Sequence, residues 1–180
     1  MPRYVALFRG INVGKAKRIA MADLRALLGE MGFREVRTLL NSGNAVFTAT
    51  ASTPGKLAQR IRAEVARELG VDALVIVKSA REIATILKGN VLAKIASDDS
   101  RLLVAMANDP KLIAALEKLG RANWGNERIH VGAQAAYLWC ANGILESKAA
   151  GALLGGLAEI GTTRNWATLK KINSLLGEPD

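Results

Sequence analysis

The chain has 180 residues, half of them apolar and 23% charged, with a formal charge of +9. That composition suits one globular domain or two small, intimately packed ones, and its basic balance favours polyanionic partners. A single Cys140 excludes an internal disulfide, a single His130 leaves no usual zinc or copper site within one chain, and no apolar run reaches the length of a membrane span.

In chain order, Met1 to Ala6 enters a strand directly, without the layout of a signal peptide, so a cytoplasmic protein is expected. Residues 3–9 form that first strand. Tyr4, Ala6 and Phe8 point one way and Val5 and Leu7 the other, which predicts cover on both faces. Met21, Leu24, Leu27, Leu28 and Met31 make one helical stripe over 21–31, with Gly32 at its exit. The stretch EVRTLLNSGNAVFTAT reads as a hairpin around Asn41-Ser42-Gly43-Asn44, residue types that tolerate left-handed turns. Thr53 caps the next helix, Pro54 opens it, and Leu57, Ile61, Val65 and Leu69 recur along it up to Gly70. DALVIVKS is a further buried strand, completing β-α-β-β-α-β, the ferredoxin-like order. Ser79 to Glu82 forms a capping box for a third helix.

The second half echoes the first, at a spacing of about ninety residues. RLLVAMA is a strand. Asp109-Pro110 opens one helix carrying Leu112, Ile113, Leu116 and Leu119, with Gly120 after it. ERIHVGAQAAYLWCANG is a second hairpin, and a helix through Leu153, Leu154 and Leu157 ends near Gly161. The last helix is expected from Arg164 to Leu176, stopping at Gly177 and Pro179. The fold class is therefore α+β: a first ferredoxin-like half over 1–78, a connecting helix over 79–100, and a second half with a C-terminal helix over 101–180.

Three stretches hold the candidate chemistry. RGINVGKAKR is one residue short of a Walker phosphate loop, and Ala16 stands where the metal-binding hydroxyl would be. The dinucleotide glycine pattern fails too, and no cofactor is read from the sequence. Gly10 and Gly14 can still bring backbone N–H groups to an anion beside Arg9, Lys15, Lys17 and Arg18; the plainer alternative is a tight turn with solvated charge. NSGN contains what any hairpin turn wants. In TTRNWATLKK, Thr162 and Thr163 read as caps, which sets Arg164 near a helix N-terminus, where its charge opposes the dipole. A bound anion there, or a structural Arg tying two halves together, would each account for it.

None of these stretches carries Asp, Glu, His or Cys, so their donors suit binding and charge stabilisation better than acid–base catalysis. His130 and Cys140 read as packing residues. A nucleophilic Ser42 or Thr163 would need a base from elsewhere in the fold.

Together LFRGINVGKAKRIAMADL, VRTLLNSGNAVF and YLWCANGILESK…TTRNWATLKKI resemble the small, mostly bacterial family indexed as domain of unknown function 1697. The resemblance runs from the first strand to the last helix. It implies an α+β protein of two ferredoxin-like halves and no assigned activity. Its motif positions are Arg9, Gly10, Asn12, Gly14, Ser42, Gly43, Asn44, Thr163, Arg164, Asn165, Trp166 and Thr168; Lys15 stands where the family usually has a second glycine.

The expectation is an anion-binding module for nucleic acid or a nucleotide, with no metal and no membrane partner. Arg9, Gly10, Asn12, Gly14, Lys15, Ser42, Gly43, Asn44, Thr163, Arg164 and Asn165 would converge at the seam between halves. Rival readings are an enzyme acting on a phosphorylated or carboxylated small molecule, and motifs that only hold the fold together.

Overall fold

The computed structural model of the chain describes residues 1–177. Its first part runs β1 (Arg3–Phe8), α1 (Met21–Glu30), β2 (Arg34–Leu39), β3 (Asn44–Thr48), α2 (Pro54–Leu69), β4 (Val75–Ser79) and α3 (Ala80–Lys88). The four strands form an antiparallel sheet of order β2-β3-β1-β4. Tyr4, Ala6, Phe8, Phe47 and Val77 face Leu24, Leu28, Leu57, Ile61 and Val65 of the two helices. Each large apolar side chain so buried contributes about 1.5–3 kcal/mol. The alternate residues Val5, Leu7, Val46, Ile76 and Lys78 are buried as well. This agrees with the two-sided apolar pattern of β1.

Helix α2 has the predicted ends: Thr53 Oγ1 accepts from Lys56 N–H at 3.4 Å, Pro54 opens it, and Gly70 closes it left-handed at φ 68°. Strand β2 lies at the sheet edge. There a bulge between Arg34 and Arg37, with Glu35 at φ 52°, interrupts the ladder. Such a bulge with charged flanks discourages edge-to-edge pairing.

The second part holds β5 (Leu102–Ala107), α4 (Pro110–Ala114), α5 (Glu117–Arg121), β6 (Arg128–Val131), β7 (Ala136–Trp139), α6 (Lys148–Leu157), β8 (Gly161–Asn165) and α7 (Trp166–Gly177). Its sheet has the order β6-β7-β5-β8, again antiparallel. Leu103, Ala105, Leu138 and Cys140 pack against Ile113, Leu116, Leu153 and Leu157. Helix α3 meets this sheet at Tyr137, whose hydroxyl donates to Ile86 O at 2.6 Å.

Two expectations are corrected. The helix after Asp109 is broken into α4 and α5, because Leu116 N–H bonds Ile113 O and Leu119 N–H bonds Leu116 O. These three-residue bonds tighten the chain in place of regular α spacing, and Gly120 falls inside α5 rather than after it. The second correction concerns residues 161–165, which form a strand. Thr162 and Thr163 are β-branched, and they pair with Met106 and Ala105 along β5 instead of capping a helix. Gly161 is required at the start of β8, since a Cβ there would stand 2.5 Å from Met106 O. Arg164 therefore lies in a strand opposite Val104, and α7 begins at Trp166. Its cap is Asn165, whose Oδ1 accepts from Thr168 N–H at 2.8 Å. The stop predicted at Pro179 lies outside the described residues.

By internal contacts the described chain divides into one unit of Met1–Arg81 joined by residues 172–177, and a second of Glu82–Lys171. Among the described residues no helix is long and apolar enough to cross a membrane.

Candidate functional site

In the first unit, β1 delivers its C-terminal end to a pair of loops. Phe8 N–H bonds Gly43 O and Arg9 N–H bonds Leu74 O, each at 2.9 Å. The chain then makes a compact excursion over residues 9–20. Gly10, Asn12, Gly14 and Lys17 all have φ between 50° and 67°, and Asn12 N–H closes the tip onto Lys17 O at 3.0 Å.

Asn12 is the brace of this loop. Its Oδ1 accepts from Ile19 N–H at 2.8 Å, and its Nδ2 donates to Ile19 O at 2.8 Å and to Asn41 O at 2.7 Å. Both amide protons and the carbonyl are thus engaged with backbone. Asn44 plays the same part in the hairpin turn. Fully buried, it donates to Leu39 O at 2.7 Å and to Ser42 Oγ at 3.2 Å. Gly43 lets the turn approach β1: with φ 89°, a Cβ would meet Ile11 Cδ1 at 2.6 Å and Phe8 Cβ at 2.8 Å. Asn and Gly of the two motifs therefore shape the loops.

What the loops expose is charge. Gly14, Lys15, Lys17 and Arg18 are exposed and Arg9 is half-buried. No Asp or Glu occurs between Arg3 and Asp23. One carboxylate from another segment faces this charge: the hydrogen bond from Arg62, with Lys17 adding its field, holds Asp72 below the usual carboxylate range. Residues 1–81 carry fourteen Lys and Arg against six Asp and Glu, a balance of +8; residues 82–171 carry eleven against eight, or +3. The excess charge is concentrated in the part of the chain that holds this loop.

Beside the loop lies an open groove of about 360 Å³, lined by Asn12, Arg18, Ile19, Ala20, Met21 and Asn41. Ala20 and Met21 are the N-terminus of α1. Thr53, Asp109, Ser147 and Asn165 cap α2, α4, α6 and α7 through their side chains, whereas Ala20 offers α1 no such bond and Leu116 offers the five-residue α5 none. The first N–H groups of α1 lack that partner and carry the positive end of the helix dipole, offset in part by Asp23 in the first turn. The sequence signal for this feature is IAMADL, which has Ala20 where Ser, Thr, Asp or Asn would cap the helix. A second groove of about 400 Å³ opens at the opposite end of the sheet, around Phe33, Ser52, Lys56 and Arg60. There Arg60 is engaged with Met31 O at 2.7 Å and stands over the Phe33 ring, and Thr53 already caps the adjacent helix.

Thr163, Arg164 and Asn165 belong to the second unit. Arg164 is 9% exposed; its Nη1 donates to Thr162 Oγ1 at 3.1 Å and Thr163 O at 2.8 Å. Burial pushes the guanidinium down to about 10, which leaves it charged at neutral pH. His130 stacks on Tyr137 with ring centres 6.0 Å apart. Cys140 is buried in the core, and burial pushes its thiol up, against the pull of a Ser147 hydrogen bond. A protonated, buried thiol is a poor nucleophile.

No curated protein matches the chain. Among solved structures it is similar to the conserved bacterial protein SP0830 from Streptococcus pneumoniae, at 25% identity and a TM-score of 0.78, over 97% of this chain and 98% of that one. The model of the protein family of unknown function DUF1697 matches residues 1–137, which include both loop motifs and end ahead of TTRNWAT. The chain belongs to that DUF1697 family.

Proposed function

We propose that this protein is an anion-binding module that holds phosphate groups of a nucleic acid or nucleotide on the loop pair 9–20 and 40–43. The observation that carries the reading is the uncapped start of α1, opening with Arg18 onto the 360 Å³ groove. Helix N–H groups aimed at a groove, with cations beside them, are a ready anion site. Lys15, Lys17 and Arg18 supply exposed charge, Arg9 adds to the field, and Asn12, Asn44, Gly10, Gly14 and Gly43 hold the loops in shape. Each sheet with its helices is read as a ferredoxin-like half, supported by the β-α-β-β-α-β order and the interior position of β1 and β5. A single reduced, buried Cys140 accords with a cytoplasmic setting.

The test is a salt series with a fluorescent oligonucleotide and, separately, inorganic polyphosphate. Binding to both should fall steeply as salt rises. The double variant Lys15→Gln/Arg18→Gln should keep its melting temperature and lower the log–log salt slope by about one for each cation that touches a phosphate. Absence of binding at low salt, or an unchanged slope in the variant, removes the proposal and leaves the motifs as purely structural.

A further inference from the structure

Val13 and Leu40 add an apolar feature to this charged surface. Apart from Met1, they are the exposed large hydrophobic side chains among the described residues of 1–81, at 70% and 52%. Isolated apolar residues on a surface are ordinary, but these two are not scattered. Each is one residue from the hydrogen bond that joins the two loops, from Asn12 Nδ2 to Asn41 O. Leu40 also holds φ 60°, a conformation that a branched aliphatic residue adopts only under strain. Asn or Gly would satisfy that backbone without strain, and Asn41 follows immediately. The loop thus presents an aliphatic side chain where the backbone favours a small or polar one.

We infer that the occupant is a single-stranded nucleic acid whose phosphates meet Lys15, Lys17, Arg18 and the uncapped α1 terminus while its bases pack on Val13 and Leu40. This rests on the phosphate reading of the same loops and extends it. A free phosphate or a mononucleotide would leave one or both apolar side chains in water. A duplex would have to unstack to reach them, and two aliphatic side chains bury too little to repay a broken base step. An unpaired strand offers its apolar base faces at no such cost. The surrounding charge complements a chain of phosphates, and the excess of cations over residues 1–81 extends that complement beyond the groove.

The experiment compares four probes on the full chain: a twelve-nucleotide single strand, the same strand without bases, its duplex, and inorganic polyphosphate. The wild type should bind the single strand at least fivefold tighter than the abasic strand and tighter than the duplex. Val13→Ser/Leu40→Ser should lose that margin and leave polyphosphate binding unchanged. If the variant folds poorly, the wild-type contrast between base-bearing and abasic strands decides the matter alone. Equal binding of those two strands, a preference for duplex, or binding to anionic phospholipid vesicles that depends on Val13 and Leu40 would each overturn the inference. Polyphosphate bound without any base dependence would keep the phosphate reading and remove this one. Base-dependent strand binding that salt does not weaken, without polyphosphate binding, would overturn both readings.

Discussion

After β1 the chain takes twelve residues, 9–20, to reach its helix; after β5 it takes two, Asn108 and Asp109. The two connections occupy the same place in sheets of the same strand order. In the short one, Asp109 Oδ1 accepts from Lys111 N–H at 2.9 Å, so the helix is capped and the turn complete. In the long one, four residues are left-handed, Lys15, Lys17 and Arg18 face solvent, and the helix starts at Met21 behind Ala20, which gives no side-chain cap. The fold needs two residues to make this step, so the further ten are not a demand of topology. Long ordered loops on a rigid sheet are where binding groups are commonly carried. TTRN in the second unit makes the opposite use of similar residues: its arginine is buried in a regular strand and its asparagine caps a helix.

The comparison can be broken at several points. The largest effect is expected from Arg164→Ala. Deleting a buried side chain and leaving Thr163 O without its donor should cost about 4 kcal/mol in urea unfolding, with no change in the salt slope of ligand binding. A stable Arg164→Ala protein that had lost binding would instead make the strand motif a ligand contact. Next is Gly43→Ala, where the left-handed backbone and the crowding by Ile11 and Phe8 should together cost about 3 kcal/mol. Asn12→Ala removes three bonds of the brace and should cost about 2 kcal/mol. Hydrogen exchange at Ile19 N–H, which bonds Asn12 Oδ1, should then speed up while exchange in β1 stays slow. The smallest effect has the opposite sign. Leu40→Asn should stabilise the protein by about 1 kcal/mol by relieving φ 60°, and should weaken single-strand binding. A gain of stability paired with a loss of binding is what separates a working residue from a structural one.

Most of the architecture was legible from periodicity and punctuation. The two-faced apolar run of β1, the stripe of α1, the Thr53-Pro54 opening of α2 and its Gly70 exit all stand as read. Local chemistry sets these features, so local sequence reports them. Residues 161–165 were misread because Thr serves equally as a helix cap and as a strand former. Only the open edge of β5, more than fifty residues earlier in the chain, decided between the two. The roles of Asn12 and Asn44 were hidden for a related reason. Composition shows an amide, whereas the carbonyls that consume it, on Ile19, Asn41 and Leu39, are set by the folded path of the chain.

The sequence by itself determined the α+β class, the repeat of topology, the positive balance and the residue types at the loops, because all of these follow from spacing and composition. Tertiary structure alone decided which polar groups remain available. Hydrogen bonding turned the asparagines inward, β pairing took Arg164 into a strand, and the fold left Lys15, Arg18, Val13 and Leu40 facing water, because burial and pairing depend on neighbours remote in the chain.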